Sequence, residues 1–305
     1  MQKNVELKNI QPNSVVVVAG PTASGKSALA MDLACKYNGV VINADASQIY
    51  KDIPIISAAP NKNDKEKVEH LLYGVLEADV KNSVSDWIKL AVEAIKKVWS
   101  QGKLPIVTGG TGFYIESLIN GVSPIPETST ATKQKVAEIF DKSGVSGVYE
   151  ALQKEDHEAA KMVNPNDATR VRRALEIFYD TGISISEWFQ KPMLKILPEA
   201  DFQLILILPE LKDLEEKCSK RFDIMLKEGA LDEVRALMNK NIAPQMPVMK
   251  AIGVPELVSF INGEKIFDEA VALAKLHTRQ YAKRQLTWFR NRFGKIDCNQ
   301  IVFKL

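Results

Sequence analysis

Cysteine and histidine are both scarce in this chain. Cys35, Cys218 and Cys298 lie far apart with no C-x-x-C spacing, which excludes a disulfide framework and predicts a reduced, cytoplasmic protein. His70, His157 and His277 are equally isolated, so no zinc-ligand pattern is present. Charge of one sign is missing too. The 40 Lys and Arg residues against 38 Asp and Glu leave a formal net charge of +2, which argues against a generic polyanion binder; any nucleic-acid surface has to be local. No apolar run approaches the ~20 residues needed to cross a bilayer. The first fourteen residues lack the apolar stretch of a secretory signal. Internal repeats and low-complexity tracts are absent as well. The 305 residues are 46% hydrophobic, enough to build a core for one large domain or two modest ones.

The most informative stretch is Val15 to Ser27. A β-branched run, Val15 to Val18, ends in Gly20-Pro21-Thr22-Ala23-Ser24-Gly25-Lys26-Ser27, and the helix-forming series Ala28 to Ala34 follows. The loop fits the phosphate-loop pattern G-x-x-x-x-G-K-[ST] in its required strand–loop–helix context. Glycines let backbone N–H groups form a concave nest for phosphate oxygens, and the helix points its positive end at the same place. Lys26 adds a point charge, and the Ser27 hydroxyl can ligate Mg²⁺. The loop therefore binds a polyphosphate or diphosphate group without saying which.

Further along, Gly39 to Asp45 reads as a second strand ending in a carboxylate. In open parallel sheets ligands sit beyond the carboxyl ends of strands, so Asp45 is placed to face the phosphate loop; a loop or helix-capping aspartate is the equal alternative. Residues 61 to 70 are charged and solvated. Val84 to Trp99 has helical apolar spacing, which puts both of its tryptophans in the core. Leu104 to Thr108 is a buried strand running into Gly109-Gly110-Thr111-Gly112. A switch ATPase would end this strand in an aspartate for its metal; the glycines suggest instead a close approach to a ligand. From Ser123 to about Leu197 strands give way to polar helical segments. There Asp167 can cap a helix on which Arg170 and Arg173 share a face. Phe202 to Leu208 returns to a buried strand, and Leu211 to Met238 reads as helical. The last long helix spans about Asp268 to Arg292. Between Lys275 and Lys295 there are seven Lys or Arg and no acid, with Tyr281, Trp288 and Phe289 interleaved. Basic and aromatic residues on one segment fit a nucleic-acid surface.

Together these segments resemble the tRNA dimethylallyltransferases (tRNA isopentenyltransferases) over most of the chain. The resemblance rests on the phosphate loop, on Asn43 to Tyr50, on Leu104 to Tyr114 with Ser123 to Pro126, and on Pro165-Asn166-Asp167 followed by Arg170 and Arg173 to Glu176. Its most specific stretch is Thr278 to Asn291. It implies an α/β fold: a P-loop NTPase-like parallel sheet core flanked by helices, formed by residues 1–122 and 198–305. A mostly helical insertion domain, 123–197, would contact tRNA. The implied activity joins the dimethylallyl group of dimethylallyl diphosphate to N6 of the adenine at tRNA position 37, beside the anticodon, with Mg²⁺ as cofactor. The partners implied are the tRNA anticodon stem-loop and the diphosphate donor, with no membrane and a monomeric protein.

Residue by residue, the resemblance makes Gly20 to Ser27 the donor-binding loop, with Ser27 orienting the metal or a diphosphate oxygen. Asp45 becomes the general base, and Arg221 reaches the diphosphate. Asp45, Ala46, Ser47, Gln48, Thr111, Lys133, Thr169, Arg170, Val171, Arg172 and Arg173 fall at tRNA-contacting positions. The chain departs from the family pattern at several places. Ala46 replaces a serine. Ala59 replaces a lysine, which bears on one diphosphate or RNA contact. Lys133 stands for an arginine, Thr169 for a glutamine, and Gly253-Val254-Pro255-Glu256 for Gly-Tyr-Lys-Glu. A phosphate-loop kinase of small molecules is the competing reading. It would need neither the basic last helix nor an RNA-gripping insertion. An RNA-binding protein with a dead active site is the third.

Overall fold

The computed structural model describes residues 5–7 and 9–293, together with the backbone of 299–304. Lys295 and Cys298 lie outside them. The backbone divides into two compact units, Met1–Asn120 with Ile196–Leu305, and Gly121–Lys195.

The first unit alternates strands and helices: β1 (Ser14–Ala19), α1 (Lys26–Lys36), β2 (Gly39–Asn43), α2 (Lys62–Lys67), β3 (His70–Leu71), α3 (Val84–Ser100), β4 (Leu104–Gly109) and α4 (Gly112–Asn120). The chain then forms the second unit from α5 (Thr130–Glu155, kinked at Gly144), α6 (His157–Met162), α7 (Ala168–Thr181) and α8 (Ile185–Trp188). It returns with β5 (Asp201–Leu208), α9 (Leu211–Lys227), α10 (Ala230–Met238), a 3₁₀ turn at Pro247–Lys250, α11 (Val254–Ile261), α12 (Phe267–Arg292) and β6 (Asn299–Lys304).

The strands form one sheet in the order β3-β2-β4-β1-β5-β6, and every pairing is parallel. Parallel strands need crossover connections, and the helices that supply them cover both faces. That is why β1 and β4 are buried at every position and read as continuous apolar runs. Val16, Val18, Val41 and Ile106 pack against Ala30, Leu33 and Ala34 of α1. The alternate residues Val15, Val17, Ile42 and Val107 are just as buried and point the other way. This is the α/β architecture the sequence predicts.

Three features differ from the sequence-based expectation, the first two for local reasons. The charged stretch after residue 61 holds a solvated helix, α2, but also the two-residue strand β3, too short for any periodic signal. Residues 211–238 form two helices, because Gly229 takes φ 103 between them. The strand β6 is an addition to the expected sheet; it pairs with β5 from beyond the long basic helix.

The second unit has its own core of Val136, Val148, Leu152, Ala159, Ala160, Val171, Ala174 and Leu175. Asp167 caps α7 as expected, accepting from the Arg170 N–H at 3.1 Å. An antiparallel bridge between Val122 and Leu194 joins the unit's two ends.

Candidate active site

β1, β2 and β4 lie side by side, so the turns leaving their carboxyl ends gather at one edge of the sheet. This is where a parallel α/β sheet places its ligand. The phosphate loop leaves β1, Asp45 follows β2, and Gly109 to Thr111 follow β4. Gly25 adopts φ 88 just before α1, in the left-handed region open to glycine. Lys26 is 8% exposed and donates to the Pro21 carbonyl at 3.2 Å. Its burial pulls the ammonium pKa down to about 8, with Asp45 acting against that fall and Arg221 adding to it. The buried Ser24 hydroxyl has no partner among the described residues, an arrangement that leaves a donor for a ligand. Ser27 sits on the first turn of α1 and is exposed.

Asp45 is held from both sides. Its N–H donates to Asn43 Oδ1 at 2.8 Å, and its Oδ1 accepts from the Ser47 N–H at 3.0 Å. Asn43 is fully buried and also donates to the Asp45 and Leu72 carbonyls. Trp87, one of the two tryptophans expected in the core, is fully buried, donates its indole N–H to the Asn43 carbonyl at 2.9 Å and stacks on Tyr114, whereas Trp99 is half-buried. The turn after β4 presses against this segment. A Cβ on Gly109 would fall 2.0 Å from the Ala44 carbonyl oxygen, so only glycine fits. Thr111 donates its N–H to the Ala44 carbonyl and accepts from the Ala46 N–H through Oγ1.

Arg221, on α9, donates to the Thr22 hydroxyl. Burial pulls its pKa down, while Cys218 and Asp45 oppose that shift, and a guanidinium stays charged under any such pull. It makes no ion pair among the described residues. A half-buried guanidinium with no ion partner among the described residues leaves its donors open to an anion.

Thr22, Asp45, Ala46, Ser47 and Arg221 line one cavity of about 370 Å³. Its lining also includes the apolar side chains of Ile56, Phe222, Met225 and Ile252. Of the phosphate loop, only Thr22 lines this space. A smaller cavity of about 220 Å³ holds Thr111 with Phe113, Tyr281, Arg284 and Trp288.

Gln48 does not reach either cavity, since its amide donates to the Ser57 and Ala58 carbonyls. In the second unit, Lys133, Thr169 and Arg170 are exposed. Arg170 pairs with Asp167, Arg173 donates to the Thr128 hydroxyl, and Arg172 lies over the Phe140 ring. Val171 differs from its neighbours in this run. Its side chain is 0% exposed and packs the core of its unit, because the helical period that turns Arg170 and Arg173 outward turns residue 171 inward.

A family model described as IPP transferase matches residues 48–292. The chain belongs to the IPP transferase family. It is 44% identical over 279 residues to the tRNA dimethylallyltransferase of Rickettsia conorii, covering 91% of this chain and 77% of that protein. It is 43% identical over 277 residues to that of Zymomonas mobilis, covering 91% and 88%. Among solved structures, it resembles a eukaryotic dimethylallyltransferase acting on tRNA with a TM-score of 0.81 at 30% identity, covering 96% of this chain and 74% of that one. It also resembles the tRNA isopentenylpyrophosphate transferase of Bacillus halodurans with a TM-score of 0.66 at 30% identity, covering 96% and 90%. The family match begins after the phosphate loop and Asp45, so the placing of those two in a common site rests on the geometry above.

In this IPP transferase, several lining residues carry no sequence signal. Ile56, Phe222, Met225 and Ile252 look like ordinary core residues, and only the fold brings them to the cavity. Cys218, an isolated thiol in the sequence, lines the same cavity. Gln285 does carry a signal: it interrupts the apolar stripe of α12 formed by Ala274, Ala282, Leu286 and Phe289.

Proposed function

We propose that this IPP transferase carries the dimethylallyl group from dimethylallyl diphosphate to N6 of adenosine 37 in tRNA, releasing diphosphate. The observation that carries the reading is the composition of the 370 Å³ cavity, in which Asp45, Thr22 and Arg221 share a space with apolar side chains. An allylic diphosphate is charged at one end and apolar at the other, and the cavity has both surfaces.

The chemistry follows from these groups. The N6 lone pair forms a bond to C1 of the dimethylallyl group. The C1–O bond breaks, and its electrons leave on the diphosphate. Arg221, Lys26 and the loop N–H groups offset the charge that builds there, and such fixed electrostatic stabilisation usually lowers a barrier more than any other single effect. An exocyclic adenine amine is a weak nucleophile, so Asp45 accepts the N6 proton as general base. The base must leave its stack to reach Asp45. The exposed Ser27 hydroxyl at the helix start would hold Mg²⁺ carried on the diphosphate. Mg²⁺ typically keeps few protein ligands beside substrate phosphates, and when bound it adds positive charge at the leaving group.

In this reading the exposed Lys133, Thr169 and Arg170, with Arg172 and Arg173, hold the RNA backbone, and the protein works as a cytoplasmic monomer. Among the described residues no helix is long and apolar enough to cross a membrane. The test is incubation with labelled dimethylallyl diphosphate and unmodified tRNA, in parallel with γ-labelled ATP and small metabolites. Prenylated adenosine in digested tRNA is the expected product. Transfer of label from ATP to a metabolite, with tRNA untouched, would replace this reading with the kinase.

A further inference from the structure

Gln285 is 6% exposed, in a helix whose other buried residues are alanine, leucine and phenylalanine. A buried amide costs stability unless both its ends are bonded. Here both are, and each partner belongs to a different part of the site. Its Oε1 accepts from the Thr22 N–H at 2.8 Å, inside the phosphate loop. Its Nε2 donates to the Gly110 carbonyl at 2.8 Å, in the turn after β4. That turn is stitched to the Asp45 segment through Thr111, Ala44 and Ala46. Gly110 itself is wedged between the two side chains. A Cβ there would lie 2.4 Å from Gln285 Nε2 and 3.4 Å from Asp45 Oδ2.

We propose that Gln285 is a positioning residue, which fixes the separation between the phosphate loop and Asp45 by bridging Thr22 to Gly110. The proposal rests on the transferase reading for its consequence in catalysis, and on hydrogen bonding alone for its consequence in the unliganded protein. A leucine fills the same space without either bond. Glutamate keeps the acceptor but sets a carboxylate oxygen against the Gly110 carbonyl; once protonated it offers one donor and one acceptor, as glutamine does.

Displacements of about 1 Å in an aligned site cost on the order of 10²-fold in rate. Gln285→Leu is therefore expected to lower kcat about 10- to 100-fold, with KM for the donor and for tRNA within about 3-fold of wild type. Because the residue acts through Asp45, the same change made on Asp45→Asn should cost little more. Gln285→Glu should recover toward wild type, as a ratio measured at each pH, when pH falls from about 8 to about 5.5, the range over which a buried carboxyl takes up its proton. Hydrogen exchange on the unliganded full-length protein gives a readout free of substrate. In Gln285→Leu, amides of residues 20–26 and 44–48 should exchange at least about 10-fold faster, as local opening becomes easier. Wild-type kcat in Gln285→Leu, a full additive loss on Asp45→Asn, or a flat pH ratio for Gln285→Glu would each overturn the role in catalysis. Faster exchange confined to α12 would overturn the bridge itself. A wild-type protein that makes no prenylated tRNA but shows the expected exchange would reject the transferase reading alone.

Discussion

Thr22 and Arg221 stand 199 residues apart in the chain and are joined side chain to side chain, with the arginine donating to the threonine hydroxyl. The bond holds a half-buried guanidinium against the phosphate loop. Hydrogen bonds to charged groups contribute about 1.5–3 kcal/mol, and lysine lacks the planar fork that grips phosphate at two points. Arg221→Lys should therefore raise the KM for dimethylallyl diphosphate about 10- to 100-fold, while tRNA binding stays near wild type. Steady-state kinetics with the donor varied checks this; an unchanged donor KM would separate Arg221 from the diphosphate.

Asp45 is fixed by Asn43 and Ser47 on one side and faces Gly110 on the other. Asp45→Ala should lower turnover about 10²- to 10⁴-fold, the range for a positioned general base, and leave the tRNA dissociation constant nearly unaltered. Single-turnover rates with saturating donor measure the first, and filter binding the second.

Lys26 carries a stability cost in the unliganded protein. Its pKa falls from 10.5 to about 8, mainly through burial, so below pH 8 the fold must hold a charge its surroundings disfavour. The shift corresponds to about 3 kcal/mol at neutral pH, against ~1 kcal/mol from its bond to Pro21. Between pH 8 and 10.5 the unfolded chain binds the proton and the folded one does not, so this cost fades as pH rises. Lys26→Met should thus raise the melting temperature at neutral pH, lose that advantage as pH climbs past about 10, and fail to use the donor. Thermal unfolding across this pH range, beside donor kinetics, tests both halves.

Gly110→Ala would set a methyl group 2.4 Å from Gln285 Nε2. Overpacking of this kind costs about 1–3 kcal/mol, and here relief comes by pushing Gln285 or Asp45 aside. The expected outcome is a modest loss in denaturant midpoint with a disproportionate loss of kcat. Equal kcat in both proteins would mean that the turn has slack.

Tyr281, Arg284, Trp288 and Arg292 form a stripe at helical spacing on α12, with Arg284 over the Tyr281 ring and Arg292 over Trp288. Arg284→Gln should weaken tRNA binding and flatten the slope of log K against log salt by about 0.7–0.9, the loss of one phosphate contact. Trp288→Ala should weaken binding at every salt concentration without changing the slope, as loss of base stacking does. Titrations across a series of salt concentrations distinguish the two.

The parallel sheet is readable because strands buried on both faces leave continuous runs such as Val15 to Val18, and because the phosphate loop fixes what lies on either side of it. Strand order alone places Asp45 near that loop. It does not reveal the apolar lining. Ile56 lies in an irregular segment held by Glu233, which accepts from the Ile55 and Ile56 N–H groups at 2.8 Å, and no local pattern announces a partner 177 residues away. Val171 shows the opposite case: within a run of residues expected to contact tRNA, its side chain falls in the core once its helical phase is taken into account. Gln285 is visible as a polar residue on an apolar stripe, but its two partners lie in segments 263 and 175 residues away.

That last distance bears on how the molecule comes into being. The phosphate loop emerges early from the ribosome, yet the side chain that braces Thr22 is made 263 residues later. Until α12 docks, a nascent chain has the glycine loop but not its brace, so it should hold allylic diphosphate poorly while still being synthesised. Competence then arrives in a single late step, rather than growing with chain length.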